Sequence, residues 1–178
     1  MQNASAGSAK KKRSNVTQGN FIVSKDPNHE LSTVLGSCVC ACLFDLEANI
    51  GGMNHFLLPE PSATSSKSII HGAQAMELLL NSLLKSGARK DRIKGKLFGG
   101  SNVLKTELNI GSANAAFAKE FLVTEGIPCV SKCLGGREAL QVRFYPVSGK
   151  ALVRSVRTAL VQAIPSKASA PNPNVTLF

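Results

Sequence analysis

Apolar residues run almost without interruption from Val34 to Phe44, and charge resumes only at Asp45. Apolar side chains on both alternating faces predict a strand buried on both sides. A second apolar run, Met53 to Leu58, is stopped by Pro59, which cannot continue a central strand. Between the runs, Asp45-Leu46-Glu47-Ala48 supplies a four-residue turn with Asp in the position that favours turn initiation. The two runs read as an antiparallel hairpin.

Upstream, Phe21-Ile22-Val23 predicts a short first strand, followed by a turn at Asp26-Pro27-Asn28. Beyond the hairpin lies a Ser-rich loop, Pro61 to Ser68, whose serines can cap a helix. The period then changes to 3.6. Ile69, Ala73, Met76, Leu80 and Leu83 mark one face, Leu79 and Leu84 widen it, and Gly87 stands just past the end as a C-cap. A second amphipathic helix is predicted from Ser112 to Glu125, stopped by Gly126. Lys94–Phe98, Ile127–Leu134, Ala139–Tyr145 and Lys150–Val156 read as further strands. Two main helices among more numerous strands predict an α+β fold, with helices covering one side of a mixed sheet or pair of sheets.

The length of 178 residues fits one domain with a proper core. Residues 1–18 and 162–178 read as loose polar tails around a domain at 19–161. No apolar run approaches the roughly 20 residues of a spanning helix, so no membrane insertion is expected. The basic cluster Lys10–Arg13 is followed by polar residues rather than a signal-peptide core, which predicts a cytoplasmic protein. The net charge of +10 is concentrated in that cluster and in Arg89–Lys96. Such a surface attracts acidic partners. With one Tyr and no Trp, the chain lacks the stacking platforms of a single-stranded nucleic-acid binder, so no nucleic-acid partner is expected.

Five cysteines in a protein without an export signal argue against a disulfide framework. Cys38, Cys40 and Cys42 fall on one strand face in steps of about 6.6–7 Å, too widely spaced for tetrahedral zinc. No metal and no organic cofactor is expected. The four cysteines other than Cys38 read as structural thiols. Centring the hairpin on Asp45–Ala48 sets Cys38 opposite His55, with Cβ atoms about 4.5–5.5 Å apart. A thiol within reach of an imidazole is the minimum equipment for acyl transfer. Gly36-Ser37 immediately ahead allow a tight backbone path, whose main-chain N–H groups can polarise a carbonyl oxygen. The structural alternative is a buried core thiol beside a satisfied strand-end histidine.

An ordered set of motifs adds to this reading. Leu35-Gly36-Ser37-Cys38-Val39, Gly51-Gly52-Met53-Asn54-His55 through Pro59, Lys96-Leu97-Phe98-Gly99-Gly100-Ser101-Asn102, Ile110-Gly111 with Asn114, Glu125-Gly126-Ile127-Pro128 and Gly135-Gly136 follow one another across residues 19 to 157. In this set the chain resembles the CheD family of chemoreceptor glutamine deamidases. The resemblance implies a three-layer α/β sandwich with mixed β-sheets, similar to the catalytic domain of the cytotoxic necrotizing factors. It implies Cys38 as nucleophile, His55 as base, and Ser32 as the hydroxyl that orients the histidine, with Gly36, Ser37 and Thr33 in support. The implied substrates are glutamines on the cytoplasmic helices of methyl-accepting chemotaxis receptors, and the implied second partner is the phosphatase CheC. The competing readings are hydrolysis of receptor glutamyl methyl esters and a non-catalytic module that binds CheC.

Overall fold

The computed structural model describes residues 11–58, 66–102 and 109–156, with the first helix's side chains described from Gly72 onward. The expected tail at 162–178 and most of the Pro61–Ser68 loop lie outside the described residues. Among the described residues, nine strands, β1 (Lys12–Asn15), β2 (Phe21–Ser24), β3 (His29–Leu35), β4 (Val39–Asp45), β5 (Ile50–Asn54), β6 (Lys94–Gly99), β7 (Cys129–Leu134), β8 (Ala139–Tyr145) and β9 (Lys150–Val156), accompany two α-helices, α1 (Ser66–Lys85) and α2 (Ile110–Thr124). They form two mixed sheets, ordered β1-β3-β8-β9 and β2-β5-β4-β6-β7.

The alternation along β4 explains the layering. Val39, Ala41 and Leu43 join Met76, Leu79, Leu83, Ala118 and Leu122 in a core between the five-stranded sheet and the helices. Cys40, Cys42 and Phe44 point the other way and pack with Leu31, Leu35, Val142 and Phe144 between the two sheets. Every residue of β4 is buried, as its unbroken apolar sequence predicts. The result is sheet on sheet on helices, the three-layer α+β arrangement expected.

Both helix stops use left-handed glycines. Gly87 (φ +101°) follows α1, where the N–H of Ala88 reaches back to Leu83 O; Gly126 (φ +68°) follows α2, where Ile127 N–H reaches Leu122 O. These six-to-one bonds satisfy carbonyls that the helix end would otherwise orphan.

Three expectations need correction. Lys12–Asn15, placed in the N-terminal tail, forms β1 and pairs in parallel with His29–Ser32 of β3, and Val16 is buried between the sheets. The apolar run from Val34 is not one strand but two. It breaks at Gly36–Cys38, where the chain crosses from one sheet to the other. Cys129 and Cys133 are exposed on the edge strand β7 rather than packed inside.

Candidate active site

Cys38 sits at the crossing between the sheets, half-buried and immediately ahead of β4. The crossing is clamped from outside. Gly100 N–H donates to Cys38 O at 2.7 Å, Ser101 N–H to Gly36 O at 2.8 Å, and Asn114 Nδ2 to Ser37 O at 3.1 Å. Gly99 (φ +104°) must be glycine, because a Cβ there would lie 2.2 Å from Cys38 O. Asn114, fully buried on α2, also accepts the N–H of Leu58 at 2.7 Å. One carboxamide thus ties the segment before Cys38 to the segment after His55.

The hairpin register differs from expectation by one step. Cys42 pairs with Met53, Phe44 with Gly51 and Asp45 with Ile50, and a further bridge joins Val39 to Phe56. Asp45 therefore stays in the strand, and the turn is Leu46–Asn49. The cause is local. Asp45 is buried, with Oδ1 accepting the N–H groups of Glu47 and Ala48 and Oδ2 accepting Arg89 N–H and Arg92 Nε–H. Asn49, a residue that tolerates positive φ, takes φ +51° to close the turn. Cys38 and His55 consequently lie diagonally across the Val39–Phe56 bridge, on the same face, rather than directly opposed. Diagonal neighbours have Cβ atoms within about 7–8 Å; in the structure the Cys38 thiol bonds to Gln18, and His55 Nε2 has no partner among the described residues.

His55 is pulled toward β2. Its N–H donates to Asn20 O at 3.0 Å, and its carbonyl accepts from Gly19 N–H at 2.7 Å. On the β4 side, Ala41 N–H bonds instead to the Asn54 side chain at 2.8 Å. The ring enters the space between the sheets, where Nδ1 lies 2.9 Å from Thr33 Oγ1 and 3.2 Å from Val16 O. Thr33 donates its own hydroxyl proton to Val16 O at 2.8 Å. Both groups facing Nδ1 are therefore acceptors toward the ring, and the network assigns the proton to Nδ1. Nε2 is left as a bare lone pair. Among the described residues it has no hydrogen-bond partner.

The hydroxyl beside His55 Nδ1 belongs to Thr33, not to the expected Ser32. Along β3, Leu31, Thr33 and Leu35 point between the sheets, whereas Ser32 turns to the outer face beside Arg13, Glu30, Gln141 and Arg143. A one-residue step in a strand reverses the face, so Ser32 cannot substitute. Gly36 and Ser37 precede Cys38, and their carbonyls accept hydrogen bonds from Ser101 N–H and Asn114 Nδ2. Sequence reasoning missed Gln18, whose Oε1 accepts the Cys38 thiol at 3.4 Å, and gave Asn114 no place in the site.

Burial pushes the Cys38 thiol up to about 11, against the pull of its own backbone N–H. Burial also lowers His55 below the usual histidine range, partly offset by Val16 O. The resting pair is a neutral thiol and a neutral imidazole, not an ion pair. Among the described residues no cluster of His, Cys, Asp or Glu has the makings of a metal site. The basic segment Arg89–Lys96 is largely neutralised, because Arg89 pairs with Asp91, Lys90 with Glu125, and Arg92 with Asp45 and Glu47.

A nucleophile candidate on a clamped crossover, with an oriented imidazole whose distal nitrogen is free, defines a thiol–imidazole site on a three-layer sandwich. The chain belongs to the CheD family. A family model described as "CheD chemotactic sensory transduction" matches residues 57–155. Curated relatives extend the match across the site. A Rhizobium leguminosarum bv. trifolii protein is 53% identical over 144 residues, spanning 79% of this chain and 78% of its own. A Caulobacter protein is 48% identical over 90% of this chain and 85% of its own, and one from Acidiphilium cryptum is 45% identical over 94% of each. Each is named "Probable chemoreceptor glutamine deamidase CheD". A Neisseria meningitidis structure of the DUF152 family covers 71% of this chain and 63% of its own at 11% identity and a TM-score of 0.43.

Proposed function

We propose that the protein deamidates glutamine side chains on the cytoplasmic helices of methyl-accepting chemotaxis receptors, with Cys38 as nucleophile and His55 as base. The observation that carries the reading is the bare Nε2 of His55, diagonal to Cys38 across the Val39–Phe56 bridge and, like Cys38, beside the core between the sheets, with Nδ1 held by Thr33 and Val16. Family membership supports the substrate, since the relatives are named for it.

The chemistry follows from the neutral pair. As Cys38 Sγ attacks the glutamine carbonyl carbon, the thiol proton passes to His55 Nε2 and an S–C bond forms. Electrons of the C=O bond move to oxygen, to which the backbone N–H of Cys38, already directed at its own sulfur, donates. Collapse breaks the C–N bond, and ammonia leaves with the proton from His55. Water then attacks the thioester with His55 as base, the S–C bond breaks, and glutamate and the free thiol result. Thr33 and Val16 O keep the ring in one tautomer and stabilise the transient imidazolium. The reaction consumes one water and releases one ammonia.

The test is peptide mass spectrometry of receptor cytoplasmic fragments incubated with the protein. Conversion shows as a gain of about one dalton at particular glutamines, present in the wild type and absent in Cys38→Ala. Conversion that persists in Cys38→Ala refutes the assignment. Preference for glutamyl methyl esters over glutamines supports the esterase instead. CheC is the second partner in this proposal, checked by whether added CheC slows the conversion.

A further inference from the structure

We propose that Gln18 is a catalytic residue, its carboxamide supplying a second donor, beside Cys38 N–H, to the oxyanion formed when Cys38 attacks an acyl carbon. This rests on the acyl-transfer reading of the Cys38–His55 pair. The position of Gln18 is built into the site. Thr17–Asn20 is a tight turn closed by Asn20 N–H on Thr17 O at 3.1 Å, with Gly19 at φ +81° in the third place, where a type II turn needs positive φ. The same turn bonds to His55 through Gly19 N–H and Asn20 O, and Val16 O, immediately before it, holds His55 Nδ1. One strap therefore positions the imidazole and presents Gln18 to the sulfur.

The contact itself is polar and direct. Gln18 Oε1 accepts the Cys38 thiol at 3.4 Å, and the carboxamide has no other hydrogen-bond partner among the described residues. A primary amide carries an acceptor and a donor on one terminal torsion with roughly two-fold preference, so a half-turn exchanges them in place. While sulfur holds its proton, the acceptor faces it. Once the proton has gone to His55, negative charge on sulfur and then on the substrate oxygen favours the NH2 group. Acceptor and donor thus each match one stage of the reaction.

The approach of a substrate agrees with this placement. Gln18 also borders a shallow groove of about 280 Å³ lined with Gly19, Phe56, Leu57, Gln74 and Leu78. Gln18 is thus the residue shared by the groove and the contact with the sulfur. Its exposure leaves the amide free to turn.

The test separates oxyanion formation from thiol reactivity. Wild type, Gln18→Ala and Gln18→Glu are compared in acylation by p-nitrophenyl acetate, which builds an oxyanion, and in alkylation by iodoacetamide, which does not. Glu keeps the shape of Gln but, ionised, offers acceptors only. The expected result is an acylation rate about 100- to 1,000-fold lower in both variants, with alkylation within about threefold of wild type. Acylation that is unchanged or faster in Gln18→Ala overturns the proposal, since it makes the side chain a bystander or an obstruction. Equal loss in both reactions also overturns it, since only thiol reactivity has then changed. Wild-type acylation without conversion of receptor glutamines removes the deamidase reading and leaves the role of Gln18 standing.

Discussion

Thr33 Oγ1 lies 2.9 Å from His55 Nδ1 while giving its own proton to Val16 O, so the threonine acts on the ring as an acceptor. That one relationship fixes which nitrogen of His55 is free to act as base. It also decides between neighbouring hydroxyls that sequence alone leaves side by side.

Replacing Thr33 by Val keeps the shape and removes the acceptor. Loss of one neutral hydrogen bond is worth about 0.5–1.5 kcal/mol, so kcat is expected to fall up to about tenfold, with Thr33→Ser recovering much of it. Ser32→Ala, on the outer face, is expected to leave kcat unchanged. Steady-state kinetics on receptor fragments check all three, and a Ser32→Ala defect exceeding that of Thr33→Val contradicts the geometry.

The pH dependence follows from the two shifts at the site. His55 is held below its usual 6.5, chiefly by burial, so kcat/KM loses its acid limb at a midpoint below that value. The thiol, raised to about 11, stays protonated through neutrality, and kcat/KM holds level from pH 7 to 9. The sign for stability is the same. A depressed folded pKa contributes stability that is full above 6.5 and lost as pH falls through the lower folded value. Glu30 adds a second, more acid step. The Arg143 guanidinium holds it down at about 2, against burial and with help from Tyr145 and Arg13, so its contribution is full above 4.5 and lost toward pH 2. Urea denaturation of wild type and Glu30→Gln at pH 5 and pH 3 checks this, the gap between them narrowing at the lower pH.

Much of the architecture was legible because it rests on periodicity and on glycine. The α1 and α2 faces and their stops at Gly87 and Gly126 follow from local rules, and β8 and β9 match their expected bounds residue for residue. The crossing at Gly36–Cys38 was hidden because both halves of the apolar run are buried, and only the assignment to two different sheets separates them. The register slipped by one because the carboxylate of Asp45, a turn former by composition, is fixed by Arg89 and Arg92 from a distant segment. Ser32 was preferred over Thr33 because spacing along a chain does not say which face a residue takes. Gln18 and β1 were missed for a related reason. A polar N-terminal segment gains order only from β3 and His55, which lie far along the sequence.

Asn114 joins three segments, and Asn114→Leu leaves Leu58 N–H and Ser37 O without partners. Buried groups left unpaired cost about 1–3 kcal/mol each, so a loss of roughly 2–6 kcal/mol in denaturant stability is expected, together with reduced kcat. Stability within 0.5 kcal/mol of wild type, roughly the scatter of a surface substitution, contradicts the bridging role.

Two glycines make a matched pair. Gly126→Ala meets nothing within 4 Å and carries only the left-handed penalty of roughly 1–2 kcal/mol. Gly99→Ala carries that penalty and also drives a Cβ into Cys38 O, so it is expected to cost more stability and to reduce Cys38 alkylation by iodoacetamide. Equal stabilities for the two variants contradict the close approach.

The most direct measurement is the tautomer of His55, read from ¹⁵N shifts and long-range ¹H–¹⁵N couplings in histidine-labelled protein at pH 7 and assigned with His55→Gln. The predicted result is a neutral ring protonated at Nδ1, with Nε2 showing the shift of a bare lone pair. A ring protonated at Nε2, or an imidazolium at that pH, contradicts the claim that His55 waits to take the Cys38 proton.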